Sequence, residues 1–395
     1  MQHSMSRSYR LALIFIAILL SLPLIFGGLL AEGQKRSSLE NRTLHVWPDA
    51  GELLARPQSY LSGFQEYLKD RMALIVPATR IYNHFLYAVL GVSPSKKLSI
   101  NLPYVFLTRH GEAQPPYYNF RNVARLADPD SVDNLEKQLG LIYRKTACPG
   151  RQIAFLVVPS KPAVYPDRLP GDTPREIVTV CKRINSGDHY LKKDHAGHWA
   201  VNLIFPLAEM IEKRDLPHFF PPEQFHVAGK SAHLVALKTL QALNIKIPDA
   251  YRAEPELDTK INDLKRALGF ETRIKFWRYD YESAFGMVCE HQKPDRVKKF
   301  HKRAEEFKRF QCLHPMTEKK ALVLGNSFGG PVSRHLAPGY KELVFVSFNG
   351  ITHDDMARFP EFINQYAPDD LIFVFHDGGL FEWIIDRMVN AWCSD

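Results

Sequence analysis

Four short, unbroken apolar runs do most to limit what this chain can fold into. Residues 153–158, 321–324, 343–346 and 371–375 carry no alternating polar positions, and Pro159 closes the first of them. A strand that shows water neither face has this composition, and strands buried on both faces belong to parallel sheets covered by helices. A fifth run, residues 201–206, is shorter and could equally open a helix, and Tyr104–Leu107 is a further short strand candidate. Helical segments lie between most of the runs, so the expected body is a three-layer α/β/α domain around a mostly parallel sheet. In such sheets, sites form beyond the carboxyl ends of the strands.

Upstream, the pattern is helical. Residues 51–70 place Tyr60, Phe64, Tyr67 and Leu68 on one stripe, and a second helix over 77–92 would turn Tyr82, Phe85, Leu86 and Leu90 toward a core. Residues 130–146 read as another amphipathic helix, whereas 250–317 are charged, less periodic and read as an insertion.

The N-terminus is constrained separately. The 21 residues 11–31 (LALIFIAILLSLPLIFGGLLA) contain no charge. At about 1.5 Å per residue they reach roughly 30 Å, the thickness of a bilayer's hydrocarbon core. Pro23 and the Gly27–Gly28 pair are tolerated in a membrane helix, and Arg7 and Arg10 ahead of it place the N-terminus in the cytoplasm. A cleaved signal is the rival reading, but the run is long for one, and Leu29 is not small at the position a cut after Ala31 would need. The expected organisation is a cytoplasmic N-terminus (1–10), a transmembrane anchor (11–31), a tether and helical region (32–100) and an α/β domain (101–395) with an insertion at about 250–317. The expected location is single-pass in a cell inner membrane, with the C-terminal domain in the periplasm.

The formal charge of +8 is concentrated in residues 293–309. This reads as a solvated helix face, or as a surface for acidic polysaccharide or lipid head groups. The compartment argues against nucleic acid. Of five cysteines, Cys148 with Cys181 and Cys289 with Cys312 are candidate pairs, and sequence alone leaves the connectivity open. There is no CxxC and no His/Cys spacing suited to zinc, so neither a metal nor a cofactor is expected.

Two segments carry chemistry. In KALVLGNSFGGP (320–331) a buried strand runs through Gly325–Asn326 into Ser327 and a segment able to be a helix. A hydroxyl there sits at the sheet's edge, where backbone N–H groups can stabilise an oxyanion; the same Ser could simply cap a helix. In FPPEQFHVAGKSAHLVA (220–236) a Pro-rich loop presents Glu223 and His226 before an apolar-periodic helix. A His so held is a candidate general base, and an acid three positions earlier could fix its tautomer; a structural His is the alternative. A competing cluster, Asp194–His195 with His198–Trp199, lies upstream.

Together these blocks resemble the SGNH hydrolases. With the His block ahead of the Ser block and an N-terminal anchor, the chain resembles the AlgX/AlgJ-like proteins, the alginate and related polysaccharide O-acetyltransferases. Glu40–Asn41–Arg42, Asp70–Arg71, Val157–Val158–Pro159–Ser160–Lys161 with Tyr165–Pro166 and Leu169–Pro170, and Tyr366–Ala367–Pro368–Asp369 are similar to that family's segments in the same order. The departures are Gln224–Phe225–His226–Val227 where the family shows Asp–x–His–Trp, and Asn326 where it shows Asp. The resemblance implies an SGNH-like three-layer fold. It also implies a Ser327 nucleophile, His226 as base, Glu223 as the orienting acid, and oxyanion donors near Gly329 and Asn349. The implied substrate is a polysaccharide that the enzyme O-acetylates, with acetyl groups supplied by a membrane-bound O-acyltransferase partner. A polysaccharide acetylesterase, or a non-catalytic polysaccharide-binding or export scaffold, would share the same motifs.

Overall fold

The computed structural model describes residues 45–71, 75–95, 98–107, 129–169, 202–264, 268–290, 307–348, 351–377 and 384–393. The expected anchor at 11–31, Glu40–Asn41–Arg42, Cys181, the Asp194–Trp199 cluster and Asn349 lie outside the described residues. Among the described residues no helix is long and apolar enough to cross a membrane. The chain divides into two units: residues up to Ser95 with Leu264–Thr272, and Lys96–Asp263 with the residues from Arg273 onward.

The smaller unit contains α1 (Ala50–Ala55), α2 (Pro57–Arg71) and α3 (Ile75–Ala88). Asp49 caps α1 by accepting the Gly51 N–H. Pro57 parts α1 from α2 because the residue before a proline is pushed out of helical geometry. Trp47 packs edge-on against Phe64 and Tyr67, at 5.2 and 5.1 Å between ring centroids. The packed side of α3 differs from the expected one. Tyr87 is buried and meets Phe270, and Asn83 donates to the Leu268 carbonyl, whereas Tyr82, Phe85 and Leu90 are exposed.

In the larger unit, β1 (Leu98–Asn101) and β2 (Tyr104–Leu107) form a small hairpin. There follow α4 (Pro129–Thr146), β3 (Gln152–Val158), α5 (Lys161–Val164), β4 (Asn202–Ile204), α6 (Leu207–Lys213) and α7 (Lys230–Ala242). A second hairpin, β5 (Glu256–Ile261) and β6 (Arg273–Arg278), leads to α8 (Tyr281–Phe285), β7 (Met287–Glu290) and β8 (Phe307–Cys312). The chain closes with β9 (Lys320–Gly325), α9 (Gly329–Leu336), β10 (Glu342–Ser347), α10 (His353–Ala357), α11 (Phe359–Tyr366), β11 (Asp370–His376) and α12 (Asp386–Cys393).

One seven-stranded sheet, in the order β4-β3-β11-β9-β10-β8-β7, organises this unit. Its first five strands are parallel, and β8 and β7 continue it antiparallel. All five expected runs are strands of this sheet. Beyond its first residue β3 is buried throughout, and Phe155 stacks on its register partner Phe373 of β11 at 5.0 Å. Each such fully buried side chain contributes about 1.5–3 kcal/mol. Helix α7 packs on α9, β3 and β4, while α4 packs on α11 and α12. The last strand in sequence, β11, lies between β3 and β9. The carboxyl ends of these three strands therefore bring Ser160–Lys161, His376–Asp377 and Asn326–Ser327 side by side.

Three expectations are corrected. Residues 250–317 are no insertion apart from the sheet, since they include β7 and β8 as well as the β5–β6 hairpin. Phe307–Arg309, the end of the basic stretch read as a helix face, belongs to β8. Cys289 and Cys312 form no disulfide. The strand register sets Cys289 opposite Phe310 and Cys312 opposite Met287, two residues out of step, and the Cys312 thiol instead faces the Ala337 carbonyl at 3.5 Å.

Gly325 closes β9 hard against β11: a Cβ there would lie 2.6 Å from the Val374 carbonyl oxygen. Gly325→Ala is expected to lower the urea midpoint, with a loss of about 1–3 kcal/mol, the usual range for overpacking. An unchanged midpoint would show that the two strands can part.

Candidate active site

The strand β9 delivers its residues to a tight turn. The Asn326 N–H donates to the Val374 carbonyl, Asn326 Oδ1 accepts the Phe328 N–H, and the Asn326 carbonyl accepts the Gly329 N–H at 2.9 Å. These bonds hold the backbone on both sides of Ser327, which is exposed while its neighbours Asn326 and Phe328 are buried.

His226 reaches Ser327 from the loop between α6 and α7. That loop is fixed at several points. The Trp277 indole donates to the Pro217 carbonyl, Ser231 N–H donates to the Phe219 carbonyl, and Pro222 O accepts both the Val105 N–H and Lys161 Nζ. Gly229 ends it with a positive φ of 55°, and the Trp277 backbone is so close that a Cβ would lie 2.6 Å from its carbonyl oxygen. Only glycine fits both the angle and the space.

His226 Nε2 lies 2.9 Å from Ser327 Oγ, and Nδ1 lies 2.6 Å from Asp263 Oδ2. Asp263 also accepts the backbone N–H of His226 on Oδ2 (3.0 Å) and that of Phe225 on Oδ1 (2.7 Å). An ionised carboxylate only accepts, so Nδ1 carries the proton and Nε2 presents its lone pair to the hydroxyl. That is the tautomer a general base needs. Burial pushes the Asp263 carboxyl up, but the bond and charge of His226 and the two N–H donors outweigh it and hold it below its ordinary value.

The orienting acid is thus Asp263 and not Glu223. Both ring nitrogens of His226 are engaged, Nδ1 by Asp263 and Nε2 by Ser327, which leaves Glu223 no nitrogen to orient. Gly329 is also displaced from its expected role, because its N–H is spent on the Asn326 carbonyl. The N–H of Ser327 itself has no acceptor among the described residues and is the nearest candidate oxyanion donor.

Lys161, the first residue after Ser160 at the end of β3, is buried and donates to Val105 O (3.2 Å) and Pro222 O (2.6 Å). Burial lowers it to about 7, against the opposing pull of Asp263 and Glu223. A neutral amine keeps two N–H donors, enough for both carbonyls. Lys161 therefore staples the His226 loop to β2. Behind the triad lies an aromatic layer: Phe328 faces His226 at 4.7 Å and stacks on His376 at 4.5 Å, with Phe225 edge-on to Phe328.

Sequence reasoning missed Asp263, and no local motif marks it. Its one signal is position, two residues past the alternating run of β5. No His, Cys, Asp and Glu grouping among the described residues is suited to hold a metal.

No family model matches the chain, and no curated protein sequence matches it. Among solved structures it is similar to Bacillus cereus PatB1 with a sulfonyl adduct, at 14% identity and TM-score 0.47, over 73% of this chain and 98% of that one. It is also similar to the O-acetyltransferase domain of Pseudomonas putida AlgJ, at 10% identity and TM-score 0.36, over 74% and 98%. A third is Pseudomonas aeruginosa AlgX, at 13% and 0.40, where the match covers 74% of this chain and 65% of that one. AlgJ and AlgX are the proteins whose segments the sequence resembles. At these identities and scores the likeness carries nothing about chemistry, which rests on the residues above.

Asp263→Asn is expected to lower the rate at which Ser327 reacts with a fluorophosphonate by roughly 10³–10⁴-fold, as loss of the required tautomer does elsewhere. Glu223→Gln is expected to cost less than about tenfold on the same assay, since both ring nitrogens of His226 are engaged by Asp263 and Ser327. The reverse ranking would restore Glu223. Lys161 generates a separate expectation. Its folded value lies below its unfolded one, so the unfolded chain binds more protons between about pH 7 and 10, and stability rises with pH across that window. Urea midpoints of wild type and Lys161→Met measured at pH 7 and pH 9.5 should show the variant lacking that rise.

Proposed function

We propose that this chain is a serine acyltransferase that moves acetyl groups onto a polysaccharide outside the cytoplasm. The observation that carries the reading is the connected Ser327–His226–Asp263 array, with 2.9 and 2.6 Å contacts at the two ring nitrogens. In the first half-reaction Ser327 Oγ attacks the carbonyl carbon of an acetyl donor while its proton passes to His226 Nε2. The oxyanion forms beside the Ser327 N–H, and the imidazolium is stabilised by the Asp263 carboxylate. Collapse expels the donor's leaving group, which takes the proton from Nε2, and leaves an acetyl ester on Oγ. In the second half-reaction Nε2 removes a proton from a sugar hydroxyl, whose oxygen attacks the acetyl-enzyme, and Ser327 recovers its proton.

The sugar acceptor is supported by the ordered motifs similar to the AlgX/AlgJ-like proteins. The placement outside the cytoplasm is supported by the charge-free residues 11–31 with Arg7 and Arg10 ahead of them. No acetyl-CoA is available there, so the donor is an acetyl group handed across the membrane by a membrane-bound O-acyltransferase.

The full chain, purified in detergent, is expected to turn over a chromogenic acetyl ester and to lose that turnover by at least about a thousandfold in Ser327→Ala and in His226→Ala. Adding an oligosaccharide should divert acetyl from water to sugar, read as acetylated product by mass spectrometry. Acetate as the sole product at saturating sugar would make the protein an esterase. No wild-type turnover would favour a binding protein.

A further inference from the structure

Behind the nucleophile sits a second histidine that the reaction scheme does not use. His376 ends β11, and its Nδ1 lies 2.8 Å from Asn326 Nδ2. Asn326 directly precedes Ser327 and is 5% exposed. All of its polar groups are engaged. Its N–H donates to Val374 O, its carbonyl accepts from Gly329 N, Oδ1 accepts from Phe328 N, and Nδ2 faces His376.

The bond from Phe328 N–H settles which way the amide points, because an N–H can be received only by oxygen. Nδ2 must then be the atom facing His376, and an amide nitrogen only donates. His376 Nδ1 must therefore be the bare, accepting nitrogen, with the ring proton on Nε2. A proton on both nitrogens would set donor against donor in a part-buried contact. Burial pushes the same way, lowering His376 to about 3, and the nearby His226 adds repulsion.

The arrangement reaches the nucleophile by two routes. Asn326 shapes the turn that carries Ser327, and the His376 ring lies flat on Phe328 (4.5 Å, 6° between planes), which in turn faces the His226 ring. We propose that His376 is a positioning residue for the acyl transfer, an acceptor that locks Asn326 and so fixes Ser327 against His226. It rests on the acyl-transfer reading above. The uncharged state has a second use. When His226 becomes an imidazolium during attack, a cation behind Phe328 would oppose it, and the neutral ring does not.

The departure at Asn326 acquires a reason. An Asp there would accept on both oxygens and require the proton on His376 Nδ1, so residue 326 and the tautomer of His376 are one choice.

The experiment compares His376→Phe, which keeps a ring against Phe328 but has no acceptor, with His376→Gln, whose Oε1 can accept from Asn326 Nδ2. In the full chain, His376→Phe is expected to lower kcat for the chromogenic acetyl ester by on the order of ten- to a hundredfold at nearly unchanged KM, the scale of an ångström's misplacement. His376→Gln is expected to recover most of that loss. Both variants turning over like wild type would overturn the proposal, as would equal loss in both with the fold intact by circular dichroism. Side-chain ¹⁵N spectra of histidine-labelled wild type supply a measurement that needs no variant to fold. The Nε2–H form of His376 is expected, and an Nδ1–H or doubly protonated ring would overturn the assignment. If wild type hydrolyses no ester, the acyl-transfer reading fails by itself, while the spectra still decide the tautomer.

Discussion

The proposed chemistry depends on one carboxylate. Asp263 gathers three donors, the His226 ring, the His226 backbone and the Phe225 backbone, so it fixes the imidazole's position and tautomer together. A side chain held only by its ring could still swing, but one whose own N–H is tied to the same carboxylate loses that freedom. The carboxylate keeps its charge despite burial because the donors outnumber the penalty. The hairpin that carries it is held in turn, since β6 lies against Gly229 so closely that only glycine fits.

Residue order matters less than strand order. His226 and Ser327 are 101 positions apart, and Asp263 falls between them in sequence rather than after both. They meet because β4 and β9 lie on opposite sides of β3 and β11 and their following segments return over the same sheet edge. Inserting β11 between β3 and β9 adds the layer behind the site: Lys161 stapling the His loop, and His376 bracing the turn of the nucleophile.

The sheet was legible because buried parallel strands are written as unbroken apolar runs, and β3, β9, β10 and β11 each answer to one. The antiparallel edge was not. In β8, Phe307 and Phe310 are separated by Lys308 and Arg309, and such a strand looks like a charged linker when read for continuous hydrophobicity. Ser327 and His226 could be picked out because each follows a local pattern, a strand into a glycine turn and a loop into an apolar helix. Asp263 could not, because its role exists only in three dimensions, through a contact 37 residues away in sequence. Glu223 attracted the assignment by lying close in sequence. The exposed stripe of α3 shows the same limit from the other side: apolar spacing named a helix but chose the wrong face as packed.

The most direct measurement of the central claim is to trap the intermediate. The full chain, mixed briefly with an activated acetyl ester and quenched in acid, is digested and its peptides are sequenced by mass spectrometry. The account predicts one acetyl ester on Ser327, formed in wild type and nearly absent in Asp263→Asn. Acetyl on another residue, or labelling of Ser327 that survives loss of Asp263 undiminished, would contradict it.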